Sequence, residues 1–185
     1  MELRVEGLCK SYGGRPVLTG LSAVFPPGIT CICAPSGTGK TTLLRLLLGL
    51  EQGDGGAIYG ADCRWAAVFQ EDRLLENLPA AANLRFALGE VPAEAGAMLE
   101  DLGLELGDPR PVRKWSGGMR RRLALARALL APAEALALDE PFAGLDRESR
   151  ERCLAWIRKA AVEKPVLLAT HELAGLEDAA VVRLA

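Results

Sequence analysis

The apolar positions of this chain fall into two kinds of segment, and the kinds alternate. Ile29–Cys33, Trp65–Phe69, Ala135–Leu138 and Val166–Ala169 are short runs with few or no polar residues, each bounded by turn formers or charge. Runs of that length predict strands buried on both faces. Between them lie segments of helical character: a leucine-rich run from Leu43 to Leu50, and Arg147 to Val162, where Leu154, Ile157 and Ala161 share one face. Residues 76–131 are rich in Ala and Leu, poor in β-branched residues, and divided by Pro and Gly into three predicted helices. Two further strands are predicted at 2–9 and 17–25, joined by a turn around Tyr12-Gly13-Gly14-Arg15-Pro16. Ala57–Gly60 reads as a short strand after the turn Gly53–Gly56, Glu172–Ala180 as a short helix, and Val181–Leu184 as a last strand.

Strands alternating with helices indicate an α/β fold with a mostly parallel sheet. Ligands of such sheets bind beyond the carboxyl ends of the strands. The polar residues at those ends are Gln70, Asp139-Glu140 and His171, together with the loop after Cys33. They could converge on one place.

That loop, Ala34-Pro35-Ser36-Gly37-Thr38-Gly39-Lys40-Thr41-Thr42, stands between a predicted strand and a predicted helix. A glycine loop in this context turns backbone N–H groups inward around an anion. The helix start adds unpaired N–H groups and the positive end of its dipole. Lys40 would reach the outer phosphates of a nucleotide, and the Thr41 hydroxyl would ligate Mg²⁺. The phosphate-loop pattern opens with Gly, whereas this chain has Ala34, which fits only with a negative φ.

Composition narrows the field. The chain has 185 residues, enough for one domain spanning 1–185 with a substantial core. Its net charge of −2 provides no general basic surface for nucleic acid. No apolar run reaches transmembrane length, and the N-terminal residues lack the apolar segment of a signal peptide. The expectation is a cytoplasmic protein, held to a membrane only through a partner. Five cysteines at scattered spacings argue against a disulfide framework, and Cys31 and Cys33 should share one strand face as core residues. A single His excludes a histidine-based metal cluster.

Asp139 follows four apolar residues, and a buried carboxylate needs a partner or a cation. Mg²⁺ on a nucleotide would serve. Glu140 is placed to polarise an attacking water as a general base. An ordinary solvated acidic pair beyond a strand end has the same local sequence. Trp115-Ser116-Gly117-Gly118-Met119 opens a second glycine-led helix running to Leu130, either as another anion nest or as an N-cap Ser with a flexible entry.

Taken together and in order, these motifs resemble the ATP-binding cassette family over nearly the whole chain. Tyr12 is similar to the aromatic residue that stacks on adenine, Ala34–Thr42 to the Walker A loop, and Gln70 to the glutamine that touches Mg²⁺ and senses the transport partner. Ser116-Gly117-Gly118 resembles the family's signature motif, Leu136–Glu140 its Walker B segment with the catalytic Glu, Ala143–Asp146 its D-loop, and His171 its switch histidine.

The resemblance implies a P-loop core, an N-terminal antiparallel β subdomain and a compact helical subdomain at about 76–131. It implies ATP and Mg²⁺ as cofactors. Glu140, His171 and Gln70 would take the catalytic roles. Tyr12, Ser36, Gly37, Thr38, Gly39, Lys40, Thr41, Thr42, Ser116, Gly117, Gly118 and Asp146 would contact nucleotide, and Thr41, Gln70 and Asp139 would contact the metal. It also implies a homodimer or heterodimer of nucleotide-binding subunits and a transmembrane permease on a separate chain, at the inner face of the cell membrane. Trp115 and Met119 depart from the family's usual Leu and Gln beside the signature.

Val68–Leu75 looks like the matching segment of bacterial nitrate, sulfonate and taurine importers. Leu74, Leu75 and Leu78 fall where the family places its docking groove, so at least one of them should be exposed. Other readings are a soluble cassette ATPase, a weakly hydrolysing nucleotide clamp and a phosphate-loop kinase. The Ser-Gly-Gly helix start and His171 speak against the kinase.

Overall fold

The computed structural model describes residues 3–35 and 37–184. Two strands, β1 (Leu3–Tyr12) and β2 (Arg15–Phe25), pair antiparallel across the two-residue turn Gly13-Gly14, and Tyr12 faces Arg15 in the register. Tyr12 thus belongs to the strand, not to the turn. After β3 (Ile29–Cys33) come α1 (Lys40–Leu47) and β4 (Gly55–Tyr59), and β4 returns to pair antiparallel with β1. The remaining strands are β5 (Trp65–Val68), β6 (Ala135–Asp139), β7 (Val166–Thr170) and β8 (Ala180–Arg183). With β3 they form a parallel sheet in the order β5-β6-β7-β3-β8. The helices are α2 (Ala80–Leu88), α3 (Ala95–Asp101), α4 (Gly117–Leu130) and α5 (Arg147–Ala161), with a one-turn 3-10 helix at Val112–Lys114. The α/β architecture, the antiparallel β sheet and the helical region match the sequence expectations.

The parallel sheet separates two apolar cores, and strand alternation deals side chains to each. Cys31, Leu136, Leu138, Val166 and Leu168 pack with α2, α3, α4 and α5 on one side. Ile32, Ala137, Leu167 and Ala169 pack with α1, β1 and β2 on the other. Cys33 sits against the same core as Cys31, as the strand period requires. Burial pushes the Cys31 thiol up to about 11 and the Cys153 thiol up to about 12, so both stay protonated core residues.

Strands β1, β2 and β4 differ by up to three residues from the expected bounds, and two helices differ as well. The helix after the glycine loop starts at Lys40 and ends at Leu47, so the loop residues Lys40–Thr42 form its first turn. The helix expected at Glu172–Ala180 does not form; this stretch is a series of turns leading into β8. Its carbonyls are taken by side chains from α5: Arg150 Nη2 donates to Ala174 O at 2.8 Å and Arg158 Nη2 donates to Gly175 O at 2.8 Å. Only i→i+3 bonds remain, from Leu176 N to Leu173 O and from Ala179 N to Leu176 O. A local sequence pattern contains no trace of such capture from another helix.

Candidate active site

The carboxyl ends of β3, β5 and β6 open toward one cleft of about 460 Å³, whose lining does not include Asp139 or His171. Tyr12, Gly37, Gly39, Lys40, Thr41, Thr42, Gln70 and Glu140 line it, with Val17 of β2. Eight residues singled out from sequence motifs are thereby brought to one place. Ser36 lies outside the described residues.

The loop's shape follows from its residue types. Gly39 sits at φ +95°, and a Cβ there would come within 2.8 Å of Val17 Cγ1. Only glycine lets the loop approach β2 so closely. Ala34 is not among the described residues with positive φ, and its methyl packs toward the core on the α1 side. The departure from Gly at that position therefore costs no backbone strain. Thr38 Oγ1 donates to Pro35 O at 2.5 Å and closes the loop on itself. Lys40 is buried, and its Nζ donates to Ala34 O at 2.8 Å and Pro35 O at 3.3 Å. The same ammonium lies 3.8 Å from Glu140 Oε1.

Strand order places the carboxylates. β6 is separated from β3 only by β7, so the first turn of α1 can reach across to the end of β6. Thr41 Oγ1 donates to Asp139 Oδ2 at 2.5 Å. Asp139 is 0 % exposed, and its other oxygen, Oδ1, has no hydrogen-bond partner among the described residues. Burial raises its pKa, although Thr41 opposes the shift. A buried hydroxyl–carboxylate pair with one orphaned oxygen suits a hard dication, whose preferred ligands are oxygens.

Glu140 sits in the left-handed region at φ +48°, uncommon for a side chain of its size. It is held there by its N–H, which donates to Ala169 O at 2.9 Å, and by its carbonyl, which accepts from Ala143 N at 3.1 Å. Strain fixed this way is characteristic of functional positions. His171, just beyond β7, brings Nδ1 to 3.1 and 3.0 Å from the two carboxylate oxygens of Glu140.

Asp139→Asn separates the cost of the carboxylate from its use. Because burial raises its pKa, the folded chain holds a proton that the unfolded chain releases above about 3.9. The stability contribution is therefore full below that value and is lost as pH rises through the folded pKa. Asn can still accept from Thr41 and carries no charge. The variant is expected to gain thermal stability relative to wild type as pH rises, by about 2–4 °C for each kcal/mol recovered. It should lose the Mg²⁺-dependent part of its stabilisation by ATP. Melting curves across pH, with and without Mg·ATP, check both; full retention of the Mg²⁺ effect would show that Asp139 is not a metal ligand.

Ser116, Gly117 and Gly118 do not line this cleft. Ser116 caps α4, its Oγ accepting from Met119 N at 3.2 Å, and Ser116 and Gly117 are exposed. Trp115 is buried in the helical core, which accounts for its place beside the signature. Asp146 caps α5 by accepting from Ser149 N at 2.8 Å, and that bond holds its pKa below the usual carboxylate range.

Several structural residues escape motif reading. Arg121 on α4 donates to Phe69 O at 2.6 Å and to Gln70 O. Arg127 donates to Arg73 O at 2.7 Å and Asp72 O at 3.0 Å. The helix that begins at Ser116 thus grips the backbone around Gln70. Asn83, buried on α2, accepts from Leu75 N at 2.7 Å and donates to carbonyls at Leu75, Leu78 and Pro79. The available signal was polar residues placed on the inward faces of apolar helices, which demand partners.

Residues 19–143 match the ABC transporter family. The sulfate/thiosulfate import ATP-binding protein CysA of Mycolicibacterium paratuberculosis is 36% identical over 198 residues, covering 96% of this chain and 55% of that protein. The Fe(3+) ions import ATP-binding protein FbpC 2 of Rhodococcus jostii is 38% identical, covering 92% of this chain and 55% of that protein. A putative ABC transporter ATP-binding protein from Pyrococcus furiosus has the same fold, with a TM-score of 0.87 at 23% identity, over 100% of this chain and 98% of that one. The chain belongs to the ABC transporter family of ATP-binding proteins. It spans about half the length of the curated relatives it matches.

Proposed function

We propose that this chain binds Mg·ATP in the cleft, hydrolyses it, and so powers a membrane transporter whose permease is a separate chain. The observation that carries the reading is the meeting of Lys40, the Thr41–Asp139 pair and the Glu140–His171 pair at one cleft. Lys40 and the N–H groups of the glycine loop hold the phosphates, and Tyr12 stacks on the adenine. Thr41, Asp139 and Gln70 would hold Mg²⁺, which would supply positive charge against the phosphates. Glu140 accepts a proton from the attacking water, and His171 steadies its carboxylate.

The Ser116-Gly117-Gly118 start of α4, with Ser116 and Gly117 exposed, supplies the second half of a site on a partner subunit, so ATP joins two subunits head to tail. Asp146 lies at that junction. Such a complex works at the inner face of the membrane. Among the described residues no helix is long and apolar enough to cross one. The two relatives above are named for different cargo, sulfate/thiosulfate and ferric ions, and the likeness of Val68–Leu75 to nitrate, sulfonate and taurine importers concerns this segment alone.

The docking surface is the test that separates a transporter subunit from a free-standing ATPase. Leu78 is 40 % exposed, while Leu74 and Leu75 are half-buried. Its carbonyl is fixed by Val112 N at 3.0 Å and Asn83 Nδ2 at 3.3 Å, so the exposed side chain rides on a held backbone. Leu78→Glu is expected to abolish co-purification with the permease while ATP affinity changes by no more than about twofold, as for other surface substitutions. Undiminished co-purification of the variant would place the docking groove elsewhere, and phosphate release by a wild-type subunit that co-purifies with no permease would favour a free-standing cassette ATPase.

A further inference from the structure

Tyr12 ends β1 at the mouth of the cleft and is 43 % exposed. An exposed ring loses rotational freedom when a ligand stacks on it, and that loss weakens binding unless the ring is already held. Here its hydroxyl donates to Glu51 Oε2. Lys10 Nζ stands 5.3 Å from the ring centroid, itself fixed by donating to Gln52 O at 2.8 Å and pairing with Asp54 Oδ1 at 3.5 Å. The second oxygen of Glu51, Oε1, accepts from Arg45 Nη1 at 3.2 Å, and Arg45 lies in the last turn of α1. The hydrogen bond from Tyr12, with Arg45 beside it, holds Glu51 below the usual carboxylate range, so it is an anion and an acceptor at neutral pH.

Glu51 is presented by a rigid helix end. Gly49 N donates to Leu46 O at 3.1 Å and Leu50 N to Arg45 O at 2.9 Å, with Gly49 at φ +66°. This pair of bonds is the Schellman closure, which sets the direction in which the chain leaves the helix. Glu51 is the next residue. The helix whose first turn carries Lys40 and Thr41 therefore also sets the position of the Tyr12 hydroxyl.

We propose that Glu51 is a positioning residue for nucleotide-base recognition, holding the Tyr12 ring and tying it through Arg45 to the helix that carries the phosphate loop. The proposal rests on the reading that Tyr12 stacks on adenine. Inorganic tripolyphosphate carries the phosphates without the base, so it distinguishes the two ends of the site. Equilibrium titrations with Mg·ATP and with Mg·tripolyphosphate on the full chain supply the test, alongside thermal unfolding of each variant.

Glu51→Ala is expected to weaken ATP about three- to tenfold, the range for one immobilised side chain, and to leave tripolyphosphate unchanged. Tyr12→Phe should cause a similar loss, the double variant no greater loss than either change alone, and Glu51→Gln should restore most of the affinity through its amide oxygen. Equal weakening of both ligands by Glu51→Ala would overturn the proposal, placing the effect on the phosphate loop through Arg45. So would unchanged ATP affinity in Glu51→Ala when Tyr12→Ala does weaken ATP. Unchanged ATP affinity in Tyr12→Ala would remove the base platform itself, and the proposal with it.

Discussion

Glu140→Gln is expected to lower steady-state ATP hydrolysis by a factor on the order of 10² to 10⁴, the usual contribution of a positioned general base. The substitution keeps the side chain's size and one acceptor oxygen, and removes its charge and its capacity to take a proton. The backbone at Glu140 is set by the Ala169 carbonyl and the Ala143 amide, not by the carboxylate, so the left-handed conformation should survive. Gln can still bond to His171. ATP should therefore bind as before, and an ATP-held dimer should accumulate because the step that releases it has been removed. Phosphate release and light scattering with and without ATP measure the two effects. A variant with normal turnover would make Glu140 a structural acid and move the base elsewhere.

Lys40→Ala should weaken ATP by about 10²-fold or more, since a buried ammonium makes charge-assisted contacts worth about 1.5–3 kcal/mol each. Lys40 also donates to the carbonyls of Ala34 and Pro35, so its loss loosens the loop as well as removing a charge from the phosphates. Titration with a non-hydrolysable ATP analogue measures the affinity, and the unfolding midpoint without nucleotide measures the loosening. Unchanged affinity would remove Lys40, and with it the phosphate-loop assignment, from the site.

The difference between these two substitutions reflects how each residue is held. Lys40 acts from the first turn of a helix whose start a glycine loop dictates, and that much is written in eight or nine consecutive letters. Glu140 stands at a strand end, where Ala169 on β7 and Ala143 in the following turn supply the fixing bonds. Its sequence context, four apolar residues and an acidic pair, is shared by many surface turns.

Local sequence was sufficient wherever a period or a short-range steric rule decided the outcome. Alternation along Ile29–Cys33 assigned Cys31 and Cys33 to one face and Ile32 to the other, and the two cores keep that division. Apolar runs ending in Gln70 and Asp139-Glu140 marked strand ends that bring Gln70 and Glu140 to the cleft, and the run ending in Thr170-His171 bears the histidine that meets Glu140. Tertiary structure decided the rest, because the deciding contacts join residues far apart in the chain. The order β6-β7-β3 brings Thr41 to Asp139, 98 residues away, and leaves Asp139 Oδ1 orphaned in a buried position. Arginines of α5 take the carbonyls at 174 and 175, where the sequence reading placed a short helix. The capped end of α1 carries Glu51 to the hydroxyl of Tyr12, 39 residues earlier. In each case the energy lies in a hydrogen bond whose partner is chosen by the packing of whole elements, and no window of sequence short enough to show a period contains both ends of it.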